Sequence, residues 1–106
     1  MNESLKMNIS PAVYYVSFKW CVEYLKNWNN DQIQSDVNIL NDYLTGLAER
    51  DPQSDQEGQE MATEMITLTN RLVGAEMALM ARKENCVQER IEQLTTTIQE
   101  IEKSYS

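Results

Sequence analysis

The sequence carries an apolar ladder that runs from Met61 to Ile101 without a proline. Its side chains recur mostly at steps of three and four, which is the spacing of one face of an α-helix. A helix over this segment would be roughly 60 Å long at 1.5 Å per residue. A compact domain of this size has a radius of gyration of only about 13 Å. The helix therefore either breaks in its middle or buries its far half against another chain.

The composition favours a single all-α domain. The chain has 106 residues, and its three glycines and two prolines are too few for the turns of a β-sandwich. Apolar residues make up 42% and charged residues 25% of the chain, as in an ordinary globular protein. We therefore predict one helical domain over residues 1–106, an antiparallel bundle or hairpin of three helices with a coiled-coil-like apolar stripe.

Local signals place the ends of these helices. Pro11 suits the first position of a helix, Asn30 suits an N-cap, and the residue before Pro52 is forced out of the α region. Ser54 and Glu57 fit a capping box at the start of the last helix. We predict a flexible tail over residues 1–9 and helices over 11–28, 31–50 and 54–103.

The third predicted helix has one polar interruption, from Arg82 to Asn85. No glycine or proline marks a break there, so we expect a continuous helix, and a bend near residues 82–85 that joins two helices is the alternative. Short connections make consecutive helices antiparallel neighbours. Helices 1 and 2 are therefore expected to pack on the first half of helix 3, with the aromatic side of helix 1 in the core.

The far half of the third predicted helix has an apolar stripe without an evident cover in the chain. Burying an Ile or Leu side chain stabilises a protein by about 1.5–3 kcal/mol. We therefore predict that the chain self-associates as a homodimer and that this stripe is a partner-binding surface. Its residues are Met77, Met80, Val87, Ile91, Leu94, Ile98 and Ile101.

The net charge of −8 is concentrated in residues 31–64, where nine acidic residues face one base, Arg50. An acidic patch repels nucleic-acid phosphate and attracts a basic partner. We therefore predict no direct binding of nucleic acid and a second partner-binding surface in this patch, while a role in solubility alone is the alternative. The residues of the patch are Asp42, Glu49, Asp51, Asp55, Glu57, Glu60 and Glu64.

Residue types that carry catalysis are scarce. The chain has no histidine, the commonest general base and metal ligand, and its two cysteines cannot form a four-ligand zinc site. The run from Gln53 to Glu64 partly matches a calcium-binding loop, but Gln53 stands where the loop needs aspartate, and an acidic helix start fits better. We predict no catalytic, metal or cofactor site, and we expect Cys21, in an apolar setting, to be an inert thiol.

The segment from Leu44 to Ala48, the turn from Asp51 to Ser54 and the ladder after it together resemble the helical hairpins of type III secretion needle subunits and their small export chaperones. This resemblance covers about half of the chain. It implies a small bacterial helical chaperone or adaptor.

Two functions are compatible with these features. The first is a non-catalytic adaptor or chaperone-like protein that binds another protein and self-associates. The alternative is an acidic inhibitor, a nucleic-acid mimic of the phage anti-defence type, that occupies a basic nucleic-acid-binding site on its target. Residues 1–7 lack the apolar core of a signal peptide, and no apolar run is long enough to span a bilayer. We therefore expect a cytoplasmic protein.

Overall fold

The computed structural model describes residues 11–105 and contains four α-helices and no strand in that range. A short 3-10 helix leads into the first of them. The elements are the 3-10 helix Pro11–Tyr14, α1 (Tyr15–Asn27), α2 (Asn30–Glu49), α3 (Asp55–Lys83) and α4 (Val87–Ser104). The all-α fold is confirmed, and none of these helices is long and apolar enough to cross a membrane. The predicted tail over residues 1–9 lies outside the described residues.

Side-chain caps fix the beginnings of α2 and α3. The Asn29 side chain, one residue before the predicted cap, accepts from the Gln32 backbone N–H at 2.8 Å, and the Gln32 side chain accepts from the Asn29 N–H at 2.9 Å. The Ser54 hydroxyl accepts from the Glu57 N–H at 3.1 Å. This is one of the two bonds of the predicted capping box, and the Glu57 side chain pairs with Arg50 instead of forming the other. These bonds satisfy donors that have no partner inside the helix.

The expected continuity of the third helix is wrong, because a turn separates α3 from α4. Asn85 lies in the left-handed region at φ 61°. Its N–H donates to the Arg82 carbonyl at 3.2 Å, and the Cys86 N–H donates to the Ala81 carbonyl at 3.0 Å. This pair of bonds is the Schellman motif, which ends helices mostly at glycine and sometimes at asparagine. The structure therefore shows the alternative, two helices joined near residues 82–85.

The long helix α3 contacts each of the other three helices. α2 runs antiparallel to it, and α1 packs on its C-terminal half, around Gly74, which lies within the first half of the predicted helix 54–103. Small residues allow this close approach. A Cβ atom at Gly74 would lie 2.6 Å from the Ser17 carbonyl oxygen, and Ala75, Ala78 and Ala81 are fully buried nearby.

Arg82 closes the C-terminal end of α1. Its Nη2 donates to three carbonyl oxygens there, those of Tyr24 (3.3 Å), Leu25 (3.2 Å) and Trp28. Its Nη1 donates to the Asn30 side chain at 3.1 Å. A cation is favourable at the negative end of a helix dipole, where the last carbonyls have no intrahelical donor. Arg82 therefore joins α1, α2 and α3, although in the sequence it is part of a polar interruption.

The last helix, α4, folds back along α1 and contacts α1 far more than it contacts α3. The Tyr15 hydroxyl donates to the Glu102 carboxylate at 2.6 Å and ties the start of α1 to the end of α4. Leu94 is buried in the same core as Cys21 and Tyr24. α1 therefore lies between α3 and α4, and the main core forms around it.

α2 and α3 extend together past the start of α1 as a pair of helices. We call this pair the acidic arm (residues 38–66). Its seam is closed by Leu40, Leu47 and Met61, which are all buried. The radius of gyration is 15.9 Å, against about 13 Å for a compact domain of this length. The difference is consistent with an arm that projects from the core.

Candidate functional site

Polar side chains bridge α2 and α3 on one side, at seven-residue intervals along both helices. The pairs are Arg50 with Glu57 (3.4 Å), Tyr43 with Glu64 (2.9 Å) and Asp36 with Arg71 (3.0 Å). Seven residues are close to two helical turns, so the six side chains share one side of the helix pair, which we call the paired face. Bridges between helices at this spacing fix the register of one helix against the other.

All residues of the predicted acidic patch lie on the acidic arm or in the turn at its tip. Glu57 is half-buried; exposed are Asp42, Glu49, Asp51, Asp55, Glu60 and Glu64. The structure brings Glu57 and Glu64 onto the paired face, where the hydrogen bond to Glu64 raises the pKa of Tyr43. Asp42 and Glu49 each stand one position before a residue of that face and point about 100° away from it. The patch is therefore spread over several sides of the arm.

Large apolar side chains are exposed among these carboxylates. Tyr43 is 48% and Ile39 is 62% exposed, and the two lie one helical turn apart on α2, beside Glu64. A cavity of about 720 Å³ lies at the tip and is lined by residues that include Arg50, Glu60 and Glu64. An aromatic residue with a charged surround is typical of protein–protein interfaces.

The predicted apolar stripe is used mostly inside the chain. Leu94 is only 6% exposed, and the half-buried members are Met77, Val87, Ile91, Ile98 and Ile101. The premise that α4 has no cover within the chain is wrong, because α1 covers it. Met80, at 51%, is the exposed member of the stripe. Partner binding and dimer formation through this stripe stay predictions.

A polar cluster lies at the base of the acidic arm, where α1, α2 and α3 meet. The Tyr24 hydroxyl donates to the Asp36 carboxylate. Arg71 Nε donates to the Tyr24 oxygen at 2.9 Å and to Asp36 at 3.0 Å. Burial, followed by the hydrogen bond to Asp36, raises the pKa of Tyr24 to about 12. Burial alone would lower the pKa of Arg71, but its interactions with Tyr24 and Asp36 outweigh this and raise it.

Two half-buried tryptophans cover this cluster. The Arg71 guanidinium carbon lies 4.4 Å from the ring centre of Trp20 and 5.9 Å from that of Trp28, within the range of cation–π attraction. Both rings line a cavity of about 660 Å³ together with Val16 and Lys19. Sequence reasoning missed the role of Arg71, because its partners Tyr24 and Asp36 lie 47 and 35 positions away.

The reactive side chains of the described region form no metal site. Within residues 11–105, no group of three or more His, Cys, Asp or Glu side chains is placed to hold a metal ion. Burial raises the pKa of the Cys21 thiol to about 11. Cys86 is a free, half-buried thiol. The acidic arm offers a ligand charged and apolar side chains.

Comparisons of the chain with protein-family models, curated proteins and solved structures find no significant match. The resemblance to the hairpins of type III secretion proteins therefore has no support beyond the residues that carry it.

Proposed function

We propose that the protein is a non-catalytic interaction module whose acidic arm binds a basic surface of another protein. The observation that carries this proposal is the exposure of carboxylates on and around the arm. Of the nine acidic residues between Asp31 and Glu64, Asp36 and Glu57 pair with arginines, and the other seven are exposed. These charges are free to meet a basic partner as it approaches.

The placement of these charges opposes the stability of the arm itself. Glu57, Glu60 and Glu64 repel one another at i, i+3 and i+4 spacing on α3. α2 ends at Glu49 and has no basic residue in its last turn, the reverse of what the helix dipole favours. A basic partner relieves both repulsions. Charges that destabilise the free arm would therefore stabilise the complex.

Apolar contact on the paired face complements the charge. Exposed carboxylates accelerate association, whereas desolvated aromatic contacts slow dissociation. Tyr43 and Ile39 supply such contact area on the same helix as Asp42 and Glu49. The combination suits an adaptor or chaperone that must find its partner quickly and then hold it.

The uniform sign of the arm also favours a second candidate function, mimicry of nucleic acid. Arg50 is the single base of the acidic arm, and Glu57 neutralises it. The surface is consequently negative throughout and could occupy a basic nucleic-acid-binding site on a target protein. The two proposals differ in whether nucleic acid competes with the arm for the partner.

The test begins with capture of partners from cytosolic extract of the native host on the immobilised full chain. We propose a cytoplasmic location because Cys21 and Cys86 are both free, the state that reducing compartments maintain. The affinity of the captured partner is then measured for the wild type and for an arm variant. That variant carries the four changes Asp42→Asn, Glu49→Gln, Asp55→Asn and Glu60→Gln.

A matched control removes the same number of exposed carboxylates outside the arm, through Glu76→Gln, Glu89→Gln, Glu92→Gln and Glu100→Gln. We expect the arm variant to lose most of its affinity and the control to keep it. Equal losses of affinity in both variants would show that net charge causes the effect and would contradict the proposal. Displacement of the partner by duplex DNA would favour the mimic over the adaptor.

A further inference from the structure

The turn at residues 84–86 interrupts a regular apolar pattern. Steps of four and three run through Val73, Met77, Met80, Glu84, Val87, Ile91, Leu94, Ile98 and Ile101. If residues 84–86 were helical, these side chains would form one straight stripe along a single helix, with Glu84 as its polar member. In the folded-back molecule the turn divides the stripe. Its first part lines a cleft of about 420 Å³ between α3 and Arg90 of α4, where Met80 is 51% exposed, and its second part packs on α1.

The turn that divides the stripe is short and contains a strained residue. Three residues connect Lys83 to Val87, and Asn85 has the positive φ of 61° that an L-residue other than glycine adopts only at a cost. Incorporating residues 84–86 into a helix removes this strain. The hydrogen bonds of the turn would be replaced by ordinary helical ones.

The contacts of α4 make such a change tolerable. α4 packs mainly on α1 and only little on α3, from which the turn separates it. Its principal ties, the burial of Leu94 and the bond between Tyr15 and Glu102, both involve α1 or the core around it. A second copy of the chain offers the same α1 surface. If α4 swings away, every contact with α1 can therefore be remade between two chains.

We propose that residues 84–86 are a hinge, and that in a second form α3 and α4 join into one long helix whose α4 half packs on α1 of a second copy. Two chains exchange α4 in this way and form a symmetric dimer. In the exchanged dimer the apolar stripe is continuous along one helix, and the hinges of the two chains lie close together. It involves α1 and α4 and does not depend on the function proposed for the acidic arm.

Two substitutions at the hinge shift this equilibrium in opposite directions. Asn85→Gly relieves the strain of the closed turn and disfavours a helical hinge, whereas Asn85→Ala does the reverse. Each substitution changes the equilibrium between the closed turn and the helical hinge by about fivefold per hinge. The two variants shift it in opposite directions and a dimer has two hinges, so their dimerisation constants should differ by more than about 100-fold. Sedimentation equilibrium from micromolar to millimolar concentration, on samples refolded at each concentration, measures this ratio. Glu84→Leu completes the stripe and should also raise the dimer fraction.

A distance measurement distinguishes the exchanged dimer from any other dimer. Spin labels at Gln59→Cys and Glu100→Cys, both exposed sites, are placed in a Cys86→Ala background, and the labelled chain is diluted with unlabelled chain. The folded-back molecule extends 45 Å along its longest principal axis, and we expect the two label sites to lie closer together there than in a continuous helix. In a continuous helix the two sites would be about 60 Å apart at 1.5 Å per residue.

We expect the dimer fraction of Asn85→Ala to show the long intrachain distance, and we expect Asn85→Gly to stay monomeric with the short one. A dimer that keeps the short distance would overturn the proposal. So would equal dimerisation constants for the two Asn85 variants, or a monomeric Asn85→Ala that circular dichroism shows to be folded.

Discussion

The contact between α1 and α3 depends on the absence of a side chain at Gly74. A Cβ atom there would lie 2.6 Å from both the Ser17 carbonyl oxygen and the Trp20 Cβ, and 3.0 Å from the Cys21 backbone nitrogen. Two of these atoms belong to the backbone of α1 and the third is bonded directly to it, so no side-chain rotation relieves the clash. Gly74→Ala must therefore push the two helices apart.

The magnitude follows from two opposing effects. Overpacking of a well-packed core costs about 1–3 kcal/mol, and separation of the helices also loosens the buried alanines beside Gly74. Alanine gains up to about 1 kcal/mol over glycine in the interior of a helix. We expect the clash to dominate, because the atoms in contact cannot move independently. The net expectation is a loss of about 1–2 kcal/mol of unfolding free energy.

Gly46 provides the matched control. It lies within α2, and an added Cβ would meet no heavy atom within 4 Å apart from its chain neighbours and the backbone of its own helix. Gly46→Ala should therefore stabilise the protein by about 0.5–1 kcal/mol through backbone entropy alone. Urea unfolding, followed by circular dichroism and by the fluorescence of Trp20 and Trp28, measures both variants. A Gly74→Ala protein that is as stable as Gly46→Ala would refute the close packing of α1 on α3.

Three further predictions concern side chains around the core. Arg82→Lys removes the guanidinium that bonds several carbonyls at the end of α1 and should destabilise the protein by about 1–3 kcal/mol in urea unfolding. Lys83→Ala changes an exposed neighbour and should have little effect on stability. Equal losses of stability in the two variants would contradict the capping role of Arg82. The Tyr24 pKa of about 12 exceeds its ordinary value of 10, so the stability it provides is complete below pH 10 and disappears as the pH rises through about 12. Alkaline unfolding of the wild type should therefore be steeper over that interval than that of Tyr24→Phe, and identical curves would count against the buried phenol. Burial and a pKa of about 11 should make Cys21 react with iodoacetamide far more slowly than Cys86 in the native protein, and mass spectrometry showing equal rates would place Cys21 at the surface.

The beginnings of α2 and α3 could be predicted because a polar capping residue marks each of them locally. The first α-helix, in contrast, begins at Tyr15 after a 3-10 turn and not at Pro11 as expected. The turn between α3 and α4 was only the alternative to the continuous helix that we expected. The four-and-three spacing continues across it, so hydrophobic periodicity gives no sign of a break. The residue that ends α3 is Asn85, which adopts the left-handed conformation less readily than glycine. The path of α4 back along α1 is a tertiary arrangement, which the hydrophobic periodicity of one segment does not reveal.

The candidate site was likewise predictable only in part. The acidic arm was predictable from composition, because charges within one segment of a hairpin stay together when it folds. The cluster of Tyr24, Asp36 and Arg71 was not, because it joins three helices and each member alone looks like an ordinary polar or aromatic residue. One signal was available for the docking of α1: Gly74 and the alanines that follow it form a strip of small residues on α3, and such a strip allows helices to approach closely.

The most direct test of the acidic arm as a binding surface is the association rate of its partner as a function of salt. Charges exposed on a surface act over a screening length of about 8 Å at physiological ionic strength. We predict that the rate constant falls steeply with added salt for the wild type and for the four-site control variant. It should be slower and fall less steeply with salt for the variant in which Asp42, Glu49, Asp55 and Glu60 are amides. Equal salt dependence in all three proteins would contradict the proposal that the arm guides and binds a basic partner.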